Sequence, residues 1–168
     1  MNRRAGFTLI ELLITITIMV ALITLAVVLL RNNQQSARDE KRKADVMAIA
    51  QQLESYYSSG SDPASTYAPG EYPPTAFVNT LANIKLTLRD LDTKSLWAPD
   101  TDTAGATSFT VAANTTTPSA NVSAYVYMPI ASDGSLCTTS AQECRKFTLF
   151  YTLESNSSTV QTLMSKVQ

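Results

Sequence analysis

The distribution of apolar residues begins with a long run near the amino terminus. Residues 7–30 are apolar except for Glu11 and four threonines. At about 1.5 Å per residue, a helix of this length would reach ~36 Å, enough to cross a hydrocarbon core of ~30 Å. The pattern therefore predicts a helix that spans a membrane, with a single ionisable residue inside it.

The helix is predicted to continue through a polar half. No proline or glycine interrupts residues 7–59, and Gly60, which lies among serines, marks the end. In this half the apolar residues recur three and four positions apart, as on one buried helix face; they are Val46, Ile49, Ala50, Leu53, Tyr56 and Tyr57. The predicted regions are residues 1–6, the apolar half at 7–30, the polar half at 31–59 and a globular head at 60–168.

The head is predicted to combine helical turns with a small sheet. Residues 60–75 contain many prolines, glycines and serines and predict a loop, followed by a short helix near 77–84 and irregular chain up to Trp97. Aromatic and β-branched residues predict strands at 122–130 and 146–153, with a shorter one at 108–113. Residues 155–168 predict a weak strand or a tail. The predicted fold class is α+β, a long amino-terminal helix packed against a small antiparallel sheet.

The composition argues against an enzyme. The chain contains no histidine, which excludes Ser-His-Asp and Cys-His catalysis and argues against most zinc sites. The formal net charge of −1 gives no basic excess of the kind that binds nucleic acid. We predict no cofactor and no metal. Residues 100–105 resemble half of a calcium loop but fail the EF-hand pattern, so we predict an acidic turn, with another kind of calcium loop as the alternative.

The chain has two cysteines, Cys137 and Cys144, close together in a segment rich in serine and threonine. Two cysteines without further ligands are a poor metal signature, whereas a disulfide fits a domain outside the cytoplasm. We predict a disulfide in the loop that joins the two stronger strands as a hairpin. Closing so short a loop would stabilise the head by roughly 2–3 kcal/mol in the chain-entropy model.

The segment before the apolar run differs from a secretory signal peptide. In a signal peptide the small residues of the cleavage site follow the apolar region, whereas here Ala5 and Gly6 precede it. Glu11 stands five residues after Gly6, in the string GFTLIELLITITIMVALITLAVVLL. An ionisable residue inside a membrane helix is costly and indicates a functional site. Together these features resemble the amino-terminal signature of the type IV pilin and pseudopilin family over roughly the first 30 residues; an uncleaved anchor is the alternative.

The resemblance implies roles for three residues. A prepilin peptidase would cut between Gly6 and Phe7 and would methylate the new amine of Phe7. Glu11 would then pair with the terminal amine of a neighbouring subunit during assembly. Many type IV pilins have a proline or glycine within this helix, but this chain has Val20 and Val28 roughly at those places. We therefore expect a continuous helix.

The charges that follow the apolar run allow more than one interpretation. Two arginines precede the run, and five basic residues lie between positions 31 and 43; by the positive-inside rule alone the head would be cytoplasmic. The cleavage site and the cysteine pair favour the opposite side. The charged block of residues 38–45 would either form ion pairs between packed helices or remain a solvated helix face, with pairs worth a few tenths of a kcal/mol.

The resemblance implies a structural subunit that polymerises into a helical filament of identical copies. Its partners would be the prepilin peptidase, the pilus assembly platform and motor, and the membrane. The precursor would cross the cytoplasmic membrane once with its amino terminus in the cytoplasm, and the mature subunit would lie in an extracellular pilus. The alternatives are a pseudopilin of a type II secretion system and a minor tip pilin that acts as an adhesin or DNA receptor. The sequence does not separate adhesion, twitching motility and DNA uptake.

Overall fold

The computed structural model describes residues 7–59, 69–99 and 107–166. A boundary after Ala37 divides the chain into two compact units. The elements in chain order are the 51-residue helix α1 (Leu9–Ser59), a 3-10 turn (Thr75–Phe77), helix α2 (Leu81–Thr87), a second 3-10 turn (Thr93–Leu96), and the strands β1 (Phe109–Val111), β2 (Tyr125–Ala131), β3 (Cys144–Leu153) and β4 (Asn156–Met164).

The α+β fold class is confirmed, but the sheet is mixed rather than wholly antiparallel. Its strand order is β1-β2-β3-β4, with β2, β3 and β4 joined as antiparallel neighbours. Strand β1 instead runs parallel to β2, so that Phe109 lies opposite Tyr125. Parallel neighbours need a crossover of about a dozen residues or more, and the connection over residues 112–124 is long enough to provide it.

The core of the head lies between the second half of α1 and one face of the sheet. The predicted apolar stripe of α1 is confirmed, because Val46, Ile49 and Leu53 are almost fully buried. They belong to one cluster with residues from β2 and β3 that include Tyr127 and Leu149. A smaller cluster contains their chain neighbours Met128 and Phe150, which face the other side of the sheet because strand side chains alternate.

The two stronger predicted strands are confirmed with small shifts of their ends, since they occupy Tyr125–Ala131 and Cys144–Leu153. The segment predicted as a weak strand or tail forms the nine-residue β4. The short helix predicted near 77–84 instead occupies Leu81–Thr87. It begins after Thr80, whose side chain caps it by accepting a hydrogen bond from the Asn83 N–H at 3.2 Å. Trp97 packs partly buried against the core. The acidic turn at 100–105 lies outside the described residues.

The predicted disulfide is present and joins Cys137, in the loop after β2, to Cys144, the first residue of β3. The chain that follows the 60–68 region runs alongside this loop. The N–H of Tyr72 donates to the carbonyl of Cys144 at 2.8 Å, and the N–H of Thr75 donates to that of Cys137 at 3.0 Å. The Gln142 side chain closes the loop from within, since its Oε1 accepts from the N–H of Thr138 at 2.8 Å. The disulfide therefore also organises the entry of the chain into the head.

Candidate functional site

The apolar half of α1 presents its side chains outward on every face. The exposed fractions of its large apolar residues range from 44% at Val27 to 83% at Leu9. An 18-residue window of this helix has a mean hydropathy of 2.9, and none of it is buried. Among the described residues this is one helix long and apolar enough to cross a membrane. The predicted continuous helix is also confirmed, because α1 runs without a break from Leu9 to Ser59.

Glu11 folds back onto the start of this helix. Its Oε2 accepts hydrogen bonds from the N–H of Thr8 at 3.0 Å and from the Thr8 hydroxyl at 2.7 Å. In return, the Glu11 N–H donates to the hydroxyl oxygen of Thr8 at 3.3 Å. Because α1 begins at Leu9, Thr8 is the N-cap and Glu11 the third residue of the helix, which is the arrangement of a capping box. The T-x-x-E spacing signals this contact in the sequence, and our sequence reasoning missed it.

The other three threonines of the apolar half are satisfied within the helix. The hydroxyls of Thr15 and Thr17 each donate to a carbonyl three residues earlier at 2.8 Å, and that of Thr24 donates to one four residues earlier at 2.7 Å. Glu11 is thus the only charged side chain of residues 7–30. Gly6 lies outside the described residues, and Phe7 is 80% exposed.

The charged block of residues 38–45 forms a second polar site, centred on Arg42. Its guanidinium is buried, with 1% exposed. Nε donates to the carbonyl of Val122 at 3.0 Å, and Nη2 donates to that of Pro99 at 3.3 Å. Nη1 lies 2.7 Å from Oε1 of Glu154 and 3.3 Å from Oδ1 of Asp39. One side chain therefore connects the helix to three separate parts of the head.

The carboxylates of this site bind the turn between β3 and β4. Asp39 accepts hydrogen bonds from the N–H groups of Glu154 at 2.7 Å and Ser155 at 3.0 Å. Burial raises the pKa of Asp39, but the bonds from Ser155 and Glu154 and the charge of Arg42 outweigh it and hold the pKa below its usual value. The hydrogen bond from Arg38 holds the pKa of Glu154 below its usual value. Burial opposes this shift, and Arg42 supports it.

Both interpretations of the charged block from the sequence are wrong for its inner residues. Asp39, Arg42 and Asp45 are buried inside one subunit, so they neither pair between subunits nor face solvent. Only the pair of Lys43 with Glu40, at 2.7 Å, matches an exposed helix face. The sequence contained a signal for this burial, because positions 39 and 42 continue the apolar stripe backwards from Val46 at helical spacing.

Asp45 occupies the border between this polar site and the apolar core. It accepts hydrogen bonds from Lys41 Nζ at 2.6 Å and from the hydroxyl of Tyr125 at 3.1 Å. Burial raises the pKa of Asp45 despite the opposing effect of Lys41. Within the described residues, no buried side-chain nitrogen or oxygen lacks a hydrogen-bond partner, and no group of three or more cysteines or acidic residues is placed to hold a metal ion.

One comparison with known proteins found a match, and the match lies in the amino-terminal segment. Residues 1–27 match the family model of the prokaryotic N-terminal methylation motif. This motif is the class III leader of type IV pilins, so the amino-terminal segment is similar to that of the type IV pilin and pseudopilin class. Proteins of that class are structural subunits and are not known as enzymes. A search of curated proteins and a search of solved structures each found no match to the chain.

Proposed function

We propose that this chain is the precursor of a pilin that polymerises into an extracellular type IV pilus. The observation that carries the proposal is the helix of residues 7–30, which is apolar and unburied on all faces and carries one carboxylate at its start. Such a surface needs lipid before assembly and other copies of itself afterwards. A leader motif directly before it supports the same sequence of events.

Processing would supply the missing half of the Glu11 site. Cleavage by a prepilin peptidase after Gly6 frees the amine of Phe7, and N-methylation keeps its positive charge. The Glu11 carboxylate, held by Thr8 in the single chain, would then also meet the Phe7 amine of the neighbouring subunit. A desolvated ion pair of this kind is costly to break, at roughly 3–5 kcal/mol when one partner is removed. The pair would therefore define where each subunit docks.

Packing of the apolar helices would hold the filament together, but it does not by itself extract them from the membrane. Lipid already satisfies an apolar helix, so the gain comes from close contact and from polar pairing between helices. An assembly platform and its motor would supply the remaining work. The precursor would wait in the cytoplasmic membrane with its amino terminus in the cytoplasm, and the head would end on the outer side.

The proposal is tested by shearing filaments from cells and measuring the mass of the intact subunit. We expect a mass that corresponds to a chain starting at Phe7 with one added methyl group and one disulfide. A chain that retains residues 1–6, or absence of the chain from all filaments, would overturn the proposal.

A pseudopilin of a type II secretion system is the second candidate, favoured by the uninterrupted helix from Leu9 to Ser59. Labelling cells with an antibody to the head separates the candidates. Label along long surface filaments supports the pilin, whereas short periplasmic assemblies with loss of protein export in a deletion strain support the pseudopilin. Label confined to filament tips would indicate a minor pilin instead.

A further inference from the structure

The compact unit of residues 38–168 exposes few large apolar side chains. Among its described residues, three stand out with more than half of their surface exposed: Met47 at 57%, Met164 at 61% and Leu86 at 68%. Two of them, Met47 and Met164, lie together, whereas Leu86 lies on a different element. Single exposed apolar residues are common on proteins, so only the arrangement of the three is informative.

Met47 and Met164 line one groove between α1 and the end of β4. The groove has a volume of about 330 Å³, and its apolar lining also includes Ala50 and Leu163. Two charged residues complete it, Glu54 and Lys166. The Glu54 carboxylate is fixed in place, since it accepts hydrogen bonds from the Tyr72 hydroxyl at 3.0 Å and from the Lys166 N–H at 2.8 Å.

The strand beside the groove is open to approach. β4 forms an edge of the sheet, and its sequence NSSTVQTLM contains no charge and no proline. Edge strands are usually protected by charged residues, prolines or bulges that keep other chains away. β4 therefore lacks two of these features, charge and proline, although its pairing with β3 is irregular between Thr152 and Leu153.

Leu86 projects from α2 in a fixed direction. Its neighbours Ile84 and Leu88 are buried, at 2% exposed each, and anchor the helix to the core. Lys85, Arg89 and Asp90 are exposed around Leu86. Leu86 is thus an exposed apolar side chain with exposed charged residues of both signs close to it in the sequence.

We propose that Leu86 of one subunit inserts into the groove beside Met47 and Met164 of the next subunit. Both sides are uncharged at their centre, and the charges around them are complementary. Lys85 and Arg89 would approach the fixed carboxylate of Glu54, and Asp90 would approach Lys166. The occupant of the groove is therefore a second copy of this chain.

The contact joins two different surfaces of the same molecule. Such a heterologous contact does not close into a dimer by a twofold axis, and repeated copies of it generate an open helical array when the rotation between copies does not close into a ring. The inference rests on the proposed function, because it assigns a head-to-head contact to the same filament. It differs from that function in using the head rather than the apolar helix.

Disulfide trapping tests the contact in intact filaments. In the double variant Leu86→Cys with Met164→Cys, mild oxidation should link subunits into a ladder of dimers, trimers and longer species on a non-reducing gel. The native disulfide does not interfere, since Cys137 and Cys144 are already bonded and buried. The matched control is Leu86→Cys with Thr115→Cys, which places the second thiol on an exposed loop residue and should give no ladder.

The outcomes separate the contact from the proposed function. If the double variant Leu86→Cys with Met164→Cys forms filaments but gives no ladder, the contact is overturned and the proposed function stands. A crosslink of Met164→Cys to a different protein would assign the groove another occupant and would also overturn it. Absence of wild-type filaments would instead contradict the proposed function.

A second variant tests the contact without new thiols. Leu86→Asp should leave the unfolding midpoint of the head unchanged, because the side chain is mostly exposed, but should lower the amount of sheared filament at least tenfold. Thr115→Asp adds the same charge at another exposed site and should assemble normally. Equal filament yields from the two variants would contradict the contact.

Discussion

The two halves of α1 differ in where their apolar side chains can be buried. In residues 7–30 nearly every side chain is apolar and none is buried. In residues 38–59 a narrow apolar stripe and three charged residues are buried in the subunit's own head. The comparison shows that continuity of a helix says nothing about where its stability comes from. The second half is completed within one chain, whereas the first requires other molecules.

The charged residues of the two halves differ in the same way. Glu11 is held by a single neighbour, Thr8, so its carboxylate keeps capacity for another partner. Arg42 is bound by two carboxylates and two carbonyls from distant parts of the chain. A group with one local partner suits assembly, and a group with four partners suits a fixed structure.

Replacing Glu11 with valine tests the first side of the comparison and should have the largest effect. We expect normal cleavage and membrane insertion, but a loss of sheared filament of more than about 100-fold, as a broken ion pair of a few kcal/mol implies. The measurement is an immunoblot of sheared and membrane fractions. Glu40→Val is the matched control, because the Glu40 side chain is 71% exposed and should not affect assembly. Normal filaments from the Glu11 variant would refute its role.

Replacing Arg42 with methionine tests the second side. The change leaves Asp39 and Glu154 without their shared cation, so we expect a loss of roughly 3–5 kcal/mol in the free energy of unfolding of the head. Urea unfolding of the full chain in detergent, followed by the fluorescence of the single tryptophan Trp97, measures it. Lys43→Met removes only an exposed pair and should cost no more than about 1 kcal/mol. Similar losses from both variants would show that the buried site is unimportant.

Removing the disulfide should lower the free energy of unfolding of the head by a smaller amount than Arg42→Met. For a loop between residues separated by seven positions, the chain-entropy model gives about 2–3 kcal/mol. The double variant Cys137→Ser with Cys144→Ser should show this loss in urea unfolding. Treatment of the wild type with a reductant should reproduce it, and the same reductant should leave the variant unchanged. An unchanged midpoint in the variant would mean that the backbone bonds to Tyr72 and Thr75 suffice.

Lowering the pH should weaken the head gradually. The pKa values of Asp39 and Glu154 are lowered in the folded state, so their contribution is present above their unfolded pKa values and is lost as the pH falls through the folded ones. Unfolding midpoints should therefore decrease below about pH 4.5. Asp45, whose pKa is raised, opposes this trend, because its protonated form is favoured in the folded state.

The variant Glu154→Gln checks the origin of this pH dependence. The glutamine cannot ionise, so the decrease in the urea midpoint between pH 6 and pH 3 should become smaller than in the wild type. Glu143→Gln is the control, since Glu143 is exposed and pairs only with its near neighbour Arg145. If both variants keep the full decrease, the acid sensitivity has another source.

The sequence predicted those elements whose signal is local. The helix, its buried stripe and the strands β2 and β3 follow from spacing and residue type, and the disulfide follows from two isolated cysteines. The parallel pairing of β1 could not be predicted, because three residues carry too little pattern and their partner is chosen by the crossover. The burial of Arg42 was also missed, although its helical spacing from Val46 indicates the buried face, because its partner Glu154 lies far along the chain and is not indicated by any local pattern.

The sequence identified Glu11 as a site residue but did not predict its contact with Thr8. Its charge in an apolar run identified it, whereas the T-x-x-E spacing that pairs it with Thr8 was not recognised as a cap. The groove at Met47 and Met164 could not be predicted either, because it depends on how the edge strand β4 lies against α1.

The wide spacing of the Arg42 partners along the sequence has a consequence for the synthesis of this protein. Arg42 finds its partners 57 and 80 residues further along, at Pro99 and Val122, and its carboxylate partner later still. The last of these contacts forms only after Glu154 has been synthesised, more than one hundred residues after Arg42. A product that ended before Glu154 would leave Arg42 with Asp39 as its one carboxylate partner at this site. We therefore expect the head to become resistant to proteases only once synthesis has passed Glu154.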